Sequence, residues 1–463
     1  MSPELERVVA RIAELRDEAV SLLQELVATV SVSPNYPGID RAEFVGGETR
    51  CNDILQERYR AAGLETHRIA ADPERSNLVG VRPGAGGGRS LILNGHVDTV
   101  PPAEADRWTC GSPWNPELRD GVLYGLGSTD MKGSAVSMWL TAQALHDTGV
   151  RLAGDLQLHS VVGEETGEYQ LGTIACVEAG FRADGAVVTE PTGAANRAKL
   201  EIAANPRLQA EPEGATAPRP LTIATHSAGF LWFRVLLEGR STHAGNRPLA
   251  IRPGGPGDAI GVNALEKGVL VVEALQELER QWGLTKTHPC FSPGFFTIMP
   301  GIFHADPGMP FPAYFPNRAE LHWLAWYPPQ ESDEAVAGEI EEHILAACRL
   351  DPWLREHPPL FEVLMRYPGM QTAWEHPLPQ AMVRAFEAVT GEVAEQPTPQ
   401  HPSNFGAAME GTWLERAGIP SICFGPGDLT VAHARDEHVR FEEVMTAGKA
   451  LAACAIEWCG TTT

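Results

Sequence analysis

The feature of this sequence that most constrains its fold is an alternation of short apolar runs with longer amphipathic stretches. Runs at 91–93, 156–162 and 186–188 each end in glycine or a polar cluster, and sequence with helical periodicity follows, as at 134–145. Parallel strands are buried on both faces and therefore have this continuous apolar character. The pattern predicts an α/β fold with an open, mainly parallel sheet and helices on both faces.

A second pattern interrupts the first in the middle of the chain. Residues 203–220 are rich in proline, alanine and glutamate with weak periodicity, which is typical of a loop or linker. Strand and helix patterns then alternate up to residue 348, in the order of a small α+β domain. An apolar strand pattern at 419–424 and an apolar helix pattern at 442–458 return to the type of the first sheet. We therefore expect the second domain to be inserted into the first.

The composition and charge exclude several classes of protein. The 463 residues carry 36 basic and 60 acidic side chains, a net charge of -24, so the average surface repels nucleic acid and anionic lipid. No apolar run reaches the roughly 18 residues of a membrane span, and charges throughout the first thirty residues argue against a signal peptide. Eight scattered cysteines without CxxC pairs indicate reduced thiols. We expect a cytoplasmic protein that binds neither nucleic acid nor membrane.

The segment LILNGHVDTVP places a histidine and an aspartate directly after an apolar run. His96 and Asp98 are two residues apart in an extended segment and so face the same side, where Asp98 can orient the imidazole of His96 toward a metal ion. A turn histidine bonded to a neighbouring aspartate gives the same pattern. The motif alone leaves both alternatives open.

A glycine-rich loop, GLGSTDMKG, presents Asp130 just before a predicted helix that begins within Met131 to Gly133. The loop is not a dinucleotide-binding fingerprint, because Asp130 occupies the place of the final glycine of GxGxxG and no acidic ribose partner follows. Asp130 is therefore a candidate metal ligand. A helix N-cap is the simpler alternative for this aspartate.

Three further acids and a second histidine also follow apolar runs. Glu164 and Glu165 are adjacent at a strand end and point in different directions, so one can bind a metal ion while the other reaches a water molecule. An exposed turn is the alternative. Glu190 ends the segment GAVVTEP, and His433 lies in the loop FGPGDLTVAHARDEHV. With His96 and Asp130, this donor set suits a borderline cation better than magnesium or a thiolate site.

In their order along the chain, the motifs GHVDTVP, GSTDMKG, GEETGE, TEPT and FGPGDLTVAH resemble those of a family of co-catalytic zinc hydrolases. This family includes acetylornithine deacetylase, succinyl-diaminopimelate desuccinylase, aminoacylase and carboxypeptidase G. The resemblance spans nearly the whole chain and implies two divalent cations, expected to be zinc, with cobalt or manganese as alternatives. His96, Asp130 and Glu190 would bind one cation, and Asp130, Glu165 and His433 would bind the other.

The resemblance also implies roles for residues that bind no metal. Glu164 would be the general base that takes a proton from a metal-activated water, and Asp98 would stand behind His96. A catalytic domain of residues 1–227 and 369–463 would be interrupted by a lid or dimerisation domain of residues 228–368. Within the lid, the segment GRSTHAG places His243 as the residue that stabilises the oxyanion, in a homodimer formed through this domain. A surface or interface histidine is the alternative.

The implied reaction is hydrolysis of an amide-type C–N bond in a small molecule. Glutamate rather than aspartate at position 190 resembles deacylases and carboxypeptidases, whereas aminopeptidases tend to have aspartate, and we predict an N-acyl amino-acid-like substrate. Leu324, Ala325 and Trp326 stand where many relatives carry Asp-x-Arg, which favours a less anionic, aromatic or acyl-rich substrate. The alternatives are a metallocarboxypeptidase and a hydrolase that releases amine from an aromatic or heterocyclic C–N bond. A non-catalytic binding homologue is a third alternative, but a mere binder need not keep Glu164.

Overall fold

The computed structural model describes residues 1–193, 221–250, 260–309, 311–394 and 405–462. The chain divides into two compact units, one formed by Met1–Ser227 with Met370–Thr463 and the other by Ala228–Gly369. The linker expected at 203–220 lies outside the described residues. No helix in the described ranges is both long and apolar enough to cross a membrane.

The described helices and strands are numbered here in chain order. The α-helices are α1 (Pro3–Glu14), α2 (Arg16–Ala28), α3 (Arg41–Phe44), α4 (Gly47–Ala61), α5 (Gly133–Asp147), α6 (Thr173–Glu178), α7 (Ala264–Thr285), α8 (Asp333–Cys348), α9 (Pro377–Thr390), α10 (Gly411–Arg416) and α11 (Phe441–Cys459). The strands are β1 (Glu65–Asp72), β2 (Arg75–Arg82), β3 (Leu91–His96), β4 (Glu117–Arg119), β5 (Val122–Tyr124), β6 (Leu156–Val161), β7 (Gly185–Val188), β8 (His226–Ser227), β9 (Gly229–Glu238), β10 (Thr297–His304), β11 (Arg318–Tyr327), β12 (Leu360–Tyr367), β13 (Met370–Gln371), β14 (Ser421–Cys423) and β15 (His438–Arg440).

The first unit is built around a six-stranded sheet with the order β1-β2-β6-β3-β7-β14. Strands β6, β3, β7 and β14 run parallel to one another, and β2 and β1 extend one edge in antiparallel pairing. Parallel neighbours need crossover connections, and the helices between these strands supply them. The predicted α/β class with a mainly parallel sheet is confirmed.

Both faces of this sheet are covered. Side chains alternate along β3, so Leu91 and Leu93 join a large apolar cluster on one face while Ile92 joins a separate cluster on the other. Helices α1, α2, α4, α5, α9 and α11 contribute to the first cluster, and α6 and α10 to the second. In α5 every residue from Gly133 to Leu145 except Gln143 is buried, so this helix lies inside the unit.

The second unit is a four-stranded antiparallel sheet with the order β10-β11-β9-β12. Alternate residues along β9 and β11 are buried, and α7 and α8 pack on that face. The aromatic stretch that follows α7 divides into two parts. Phe291 and Phe296 are buried in a small cluster with Ala228, whereas Ile302 and Phe303 are exposed on the edge strand β10. The buried pair therefore belongs to the core of this unit.

Candidate active site

Five candidate ligands lie at one edge of the six-stranded sheet. His96 is the last residue of β3, Glu165 follows β6, Glu190 follows β7, His433 follows β14, and Asp130 precedes α5. The carboxyl ends of parallel strands meet at the same edge, where ligands of open α/β sheets gather. Donors from five distant stretches of the chain are therefore brought together.

His96 stands at the centre of one half of the cluster. Its Nε2 atom lies 3.1 Å from Asp130 Oδ1 and 3.5 Å from Glu190 Oε1. The side chain of His96 is 1% exposed and that of Glu190 5%. This half is therefore shielded from solvent and built on the ends of two adjacent central strands.

His433 forms the other half of the cluster. Its Nε2 atom lies 3.2 Å from Asp130 Oδ2 and 3.1 Å from Glu165 Oε2. The two oxygens of Asp130 thus face different histidines. Asp130 is the residue that the two halves share, in the geometry expected of a carboxylate that bridges two cations.

The turn that carries Asp130 is held by an acid that sequence analysis missed. Glu437 is fully buried, and its Oε1 accepts hydrogen bonds from the backbone amides of Thr129 at 3.1 Å and Asp130 at 3.2 Å. Asp130 and Met131 have non-helical backbone angles, so α5 begins at Gly133, the last residue of the predicted range, and its N-cap is Lys132 rather than Asp130. Among the acids of the charged loop after His433, Glu437 is the one that binds the amides of this turn. Its neighbours in the sequence do not distinguish it from the other acids of the loop.

Glu164 and Asp98 lie beside the His96 half. Glu164 Oε2 is 3.8 Å from His96 Nε2. His96 Nδ1 contacts the backbone carbonyl of Asp98 at 3.0 Å, whereas the carboxylate oxygen Oδ1 is farther away at 3.6 Å. The Asp98 carboxylate instead accepts hydrogen bonds from the amides of Gly163, Glu164 and Glu165. Asp98 therefore contacts both the histidine and the turn that carries the two adjacent glutamates.

The charges at this edge are unbalanced. Burial raises the pKa of Glu164 and that of Glu190 well above the usual range, and neighbouring carboxylates raise both further. Burial lowers the pKa of His96, but the hydrogen bond to Asp130 and the surrounding acids outweigh burial and raise it well above its usual value. Several buried carboxylates thus share two imidazoles. Such a site calls for additional positive charge.

The donor chemistry fits divalent cations. His96, Asp130 and Glu165 each offer a ligand atom within 4.8 Å of the others. Glu165 Oε1 is buried and has no hydrogen-bond partner among the described residues, although Oε2 contacts His433. A buried carboxylate oxygen is costly to leave unpaired, and a cation at this position would satisfy it. Imidazole nitrogens mixed with carboxylate oxygens suit zinc and neighbouring transition metals.

His243 belongs to the second unit. It is exposed at the N-terminus of the short 3-10 helix Ala244–Leu249, and its Nδ1 accepts a hydrogen bond from the Gly245 amide at 3.0 Å. Because Nδ1 is an acceptor, the proton of the neutral ring lies on Nε2. His243 therefore presents an N–H donor.

The fold and the cluster together define a metal-dependent hydrolase. A family model described as peptidase family M20/M25/M40 matches residues 92–457. The chain belongs to this family, which confirms the predicted resemblance to the deacetylase and desuccinylase group. It is accordingly a hydrolase of amide-type C–N bonds.

Some relatives match this chain over almost their full length. The N-formyl-4-amino-5-aminomethyl-2-methylpyrimidine deformylase of Halalkalibacterium halodurans is 30% identical over 470 residues, which cover 98% of this chain and 97% of the relative. Among solved structures, the dipeptidase Dug1p of Saccharomyces cerevisiae covers 100% of both chains with a TM-score of 0.71 and 13% identity. The dinuclear metal-binding peptidase YXEP of Bacillus subtilis covers 97% of this chain and 100% of its own, with a TM-score of 0.63 and 12% identity. These two structures share the fold.

Proposed function

We propose that the cluster holds two divalent cations. His96, Asp130 and Glu190 would hold one, and Asp130, Glu165 and His433 would hold the other. The observation that carries this proposal is Asp130, whose two oxygens lie 3.1 and 3.2 Å from two different histidines. The solved relative described as dinuclear supports the count of two. Zinc is the favoured metal because of the mixed nitrogen and oxygen donors, with cobalt and manganese as alternatives.

Glu164 is the acid assigned to proton transfer. When bound by these residues, the cations would supply positive charge that acidifies a water molecule and polarises a substrate carbonyl. Glu164 accepts a proton from the attacking water, whose oxygen bonds to the acyl carbon, and it returns that proton to the leaving nitrogen as the C–N bond breaks. The products are a carboxylic acid and an amine. The Glu164 Oε2 atom lies 3.8 Å from His96 Nε2, and the side chain is 13% exposed, so the carboxylate is close to the cluster and largely shielded from bulk water.

His243 is assigned to the oxyanion in the same proposal. Its Nδ1 is engaged by the Gly245 amide, so the Nε2–H group is oriented as a donor. A donor aimed at the developing negative charge accelerates acyl transfer because it stabilises the transition state more than the substrate. We expect His243→Ala to lower kcat by about 10² to 10³. Unchanged kcat in this variant would contradict the assignment.

The substrate class proposed is a short N-acyl derivative of an amine that carries a heteroaromatic ring. The near-complete match to a pyrimidine deformylase supports this class over the amino-acid-like substrate predicted from sequence. Apolar Leu324 and Trp326 on β11 are consistent with a substrate that is not strongly anionic. N-acyl amino acids and peptides with a free carboxylate remain the alternatives, and a substrate panel separates them.

The test combines metal analysis with turnover. The protein is stripped with a chelator, reconstituted with zinc, cobalt or manganese, and assayed on N-formyl-4-amino-5-aminomethyl-2-methylpyrimidine, N-formyl and N-acetyl amino acids, and dipeptides. We expect two metal ions per chain and the highest kcat/KM on the formylated pyrimidine. Higher kcat/KM on dipeptides would favour a peptidase, and full activity after chelation would remove the metal mechanism.

A homodimer formed through the second unit is part of the proposal. Strand β10 is the edge of its sheet, and Phe303 on this strand packs over Gly268 of α7, so strand and helix share one surface. Exposed apolar side chains are concentrated there, namely Met299, Ile302, Phe303, Leu265 and Val269. An exposed apolar sheet edge is a ready pairing surface for a second chain.

Sedimentation tests the dimer. Ile302→Asp is expected to yield monomers, because a charge in an apolar interface must be desolvated without a partner. Leu360→Asp is the matched control, since Leu360 is similarly exposed on β12 at the opposite edge of the sheet. If Ile302→Asp and Leu360→Asp are both monomeric or both dimeric, the assignment of the β10 edge to the dimer interface is contradicted.

A cytoplasmic location is also proposed. All eight cysteines are free, and six of them are buried. Free buried thiols are typical of a reducing compartment. Fractionation of native cells would detect the protein elsewhere if this proposal is wrong.

A further inference from the structure

Arg75 is a buried charged residue that lies outside the cation cluster. It is the first residue of β2, and its side chain is 0% exposed. A fully buried arginine is rare unless it is paired, because removing its charge from water is costly. The partners of Arg75 therefore indicate what this side chain is for.

Four hydrogen bonds occupy the guanidinium group, and the longest of them runs from Arg75 Nη2 to Ser33 Oγ at 3.3 Å. Arg75 Nε and Nη2 donate to Glu48 Oε2 and Oε1 at 2.6 and 2.7 Å, which is the two-point geometry that only arginine provides. Arg75 Nη1 donates to Glu168 Oε2 at 2.5 Å. Arg75 is thus paired on one side with Glu48 of α4 and on the other with Glu168, which lies in the loop that follows β6.

The two partners of Arg75 hold the turn that carries Glu164 and Glu165. Glu48 Oε1 also accepts the amide of Gly163 at 3.2 Å, where this turn begins. The Glu168 amide donates to the Gly163 carbonyl at 2.8 Å, which closes the turn. Arg75 therefore connects the start of the turn, through Glu48, with its end at Glu168.

Asp98 holds the same turn from the side of the cluster. Its carboxylate accepts the amides of Gly163, Glu164 and Glu165 at 3.0, 3.3 and 3.1 Å. The turn is thus fixed between the Asp98 carboxylate on one side and the Arg75 network on the other. Glu164 and Glu165 have different proposed roles and leave the same short turn, so the directions of both carboxylates depend on how its backbone is held.

Stability alone does not account for this arrangement. Apolar residues of similar volume often stabilise a protein as well as a buried ion pair does, whereas ionic groups with fixed geometry can specify one conformation. Groups that orient ligands from behind have large effects on metal affinity and on rate. We propose that Arg75 is a positioning residue that fixes the directions of Glu164 and Glu165; this inference rests on the roles of these two glutamates in the proposed function.

The experiment compares Arg75→Lys with Arg82→Lys. Lysine keeps the positive charge of Arg75 but loses the two-point contact with Glu48. Arg82 ends the same strand and donates to the backbone carbonyls of Leu145 and Val150, away from the turn, so it controls for the loss of a partly buried arginine. Both proteins are assayed for kcat, KM, metal ions per chain and Tm.

We expect Arg75→Lys to lose about 10- to 100-fold in kcat, or in the affinity of the cation assigned to Glu165, with little change in KM. Arg82→Lys should keep parental kcat and metal content even if its Tm falls. Parental kcat and metal content in Arg75→Lys would overturn the inference. Equal losses in both variants would also overturn it, because they would indicate a general effect on the fold.

A second variant covers the case in which Arg75→Lys does not fold. Glu168→Ala removes one arm of the clamp at a side chain that is 25% exposed, and we expect a smaller loss of the same kind. Parental kcat and metal content in a folded Glu168→Ala would overturn the inference.

Glu164→Gln is assayed alongside. If Glu164→Gln is fully active the proposed function itself fails, and if it is inactive while the clamp variants are normal, only the role of Arg75 fails.

Discussion

The two halves of the candidate centre use the same kinds of donor but differ in how the fold supports them. His96 is the last residue of a central strand, and its side chain is 1% exposed. His433 lies in a loop between β14 and β15, has a left-handed backbone with φ 58°, and its side chain is 49% exposed. One half is therefore preorganised by the sheet, whereas the other depends on the conformation of a loop.

Loop contacts partly compensate for this difference. Asp428 donates its amide to Thr129 Oγ1 at 3.1 Å, and the Asp436 carboxylate accepts the Thr109 amide at 2.7 Å. These contacts tie the loop to the Asp130 turn and to the segment after β3. Ligands on rigid elements bind with less loss of conformational entropy than ligands on loops. The comparison therefore predicts unequal cation affinities, with Asp130 essential to both halves.

The largest expected effect is that of Asp130→Ala. Loss of the shared carboxylate should remove both cations and reduce turnover below detection, as measured by metal analysis and the deacylase assay. Asp147→Ala is the control, because Asp147 ends the same helix that Asp130 precedes and its carboxylate accepts hydrogen bonds from Arg11 and Gln143, away from the cluster. Two retained metal ions in Asp130→Ala would show that the halves are independent of this residue.

The adjacent glutamates provide the next test. Glu164→Gln keeps the size of the side chain but cannot accept a proton, so kcat should fall by about 10² to 10⁴ while metal content and KM change little. Glu165→Gln should lose metal together with activity, because Glu165 Oε2 lies against His433. If Glu164→Gln instead loses metal and Glu165→Gln retains it, Glu164 is the metal ligand and Glu165 is the general base.

Stepwise removal of metal separates the two halves directly. We expect a chelator to withdraw the cation of the exposed His433 half first, leaving about one metal ion per chain. His433→Ala should then retain one metal ion, and His96→Ala should lose more metal and more activity than His433→Ala. Simultaneous release of both ions from the parent protein would argue that the halves bind cooperatively rather than unequally.

The smallest effect on activity is expected from a buried acid near the His96 half. Burial raises the pKa of Glu410 to about 8, and neither of its carboxylate oxygens is in hydrogen-bonding geometry with a described residue, although Thr173 lies beside it. Burial also raises the pKa of Glu437, behind the Asp130 turn, to about 8, but Glu437 accepts two backbone amides. The two halves therefore differ in the hydrogen bonding of their buried acids: Glu437 accepts hydrogen bonds from described residues, and Glu410 does not.

For Glu410 the pKa shift has a defined sign. Between about pH 4.5 and 8 the folded protein keeps a proton that the unfolded chain has released, so the free energy of unfolding falls as the pH rises. In the metal-free protein, Glu410→Gln should remove this fall. Its free energy of unfolding relative to that of the parent should therefore be higher at pH 8.5 than at pH 5, by up to roughly 4 kcal/mol. Denaturant unfolding at both pH values measures it. The exposed Glu442→Gln is the control, and identical pH profiles for Glu410→Gln and the parent would contradict the expectation.

Much of the fold could be predicted because its signals are local. The runs at 91–93, 156–162 and 186–188 are strands β3, β6 and β7, with the first extended to His96 and the second ending at Val161. The apolar character of these runs follows from burial on both faces, so each strand is recognisable without its neighbours. The helix after the glycine-rich loop was predicted less sharply, because Glu437 holds the backbone of Thr129 and Asp130 from a position 307 residues beyond Asp130.

The sequence by itself determined the chemistry of the candidate centre. Histidine and carboxylate side chains follow strand patterns, so their residue types and their common edge could be inferred from the chain alone. Only the tertiary structure decided which oxygen of Asp130 faces which histidine, that Asp98 and Arg75 hold the same turn, and that the His433 half is the more exposed one. The physical reason is that donor identity is a property of single residues. Distance, burial and hydrogen bonding, in contrast, depend on contacts between segments that are remote in sequence.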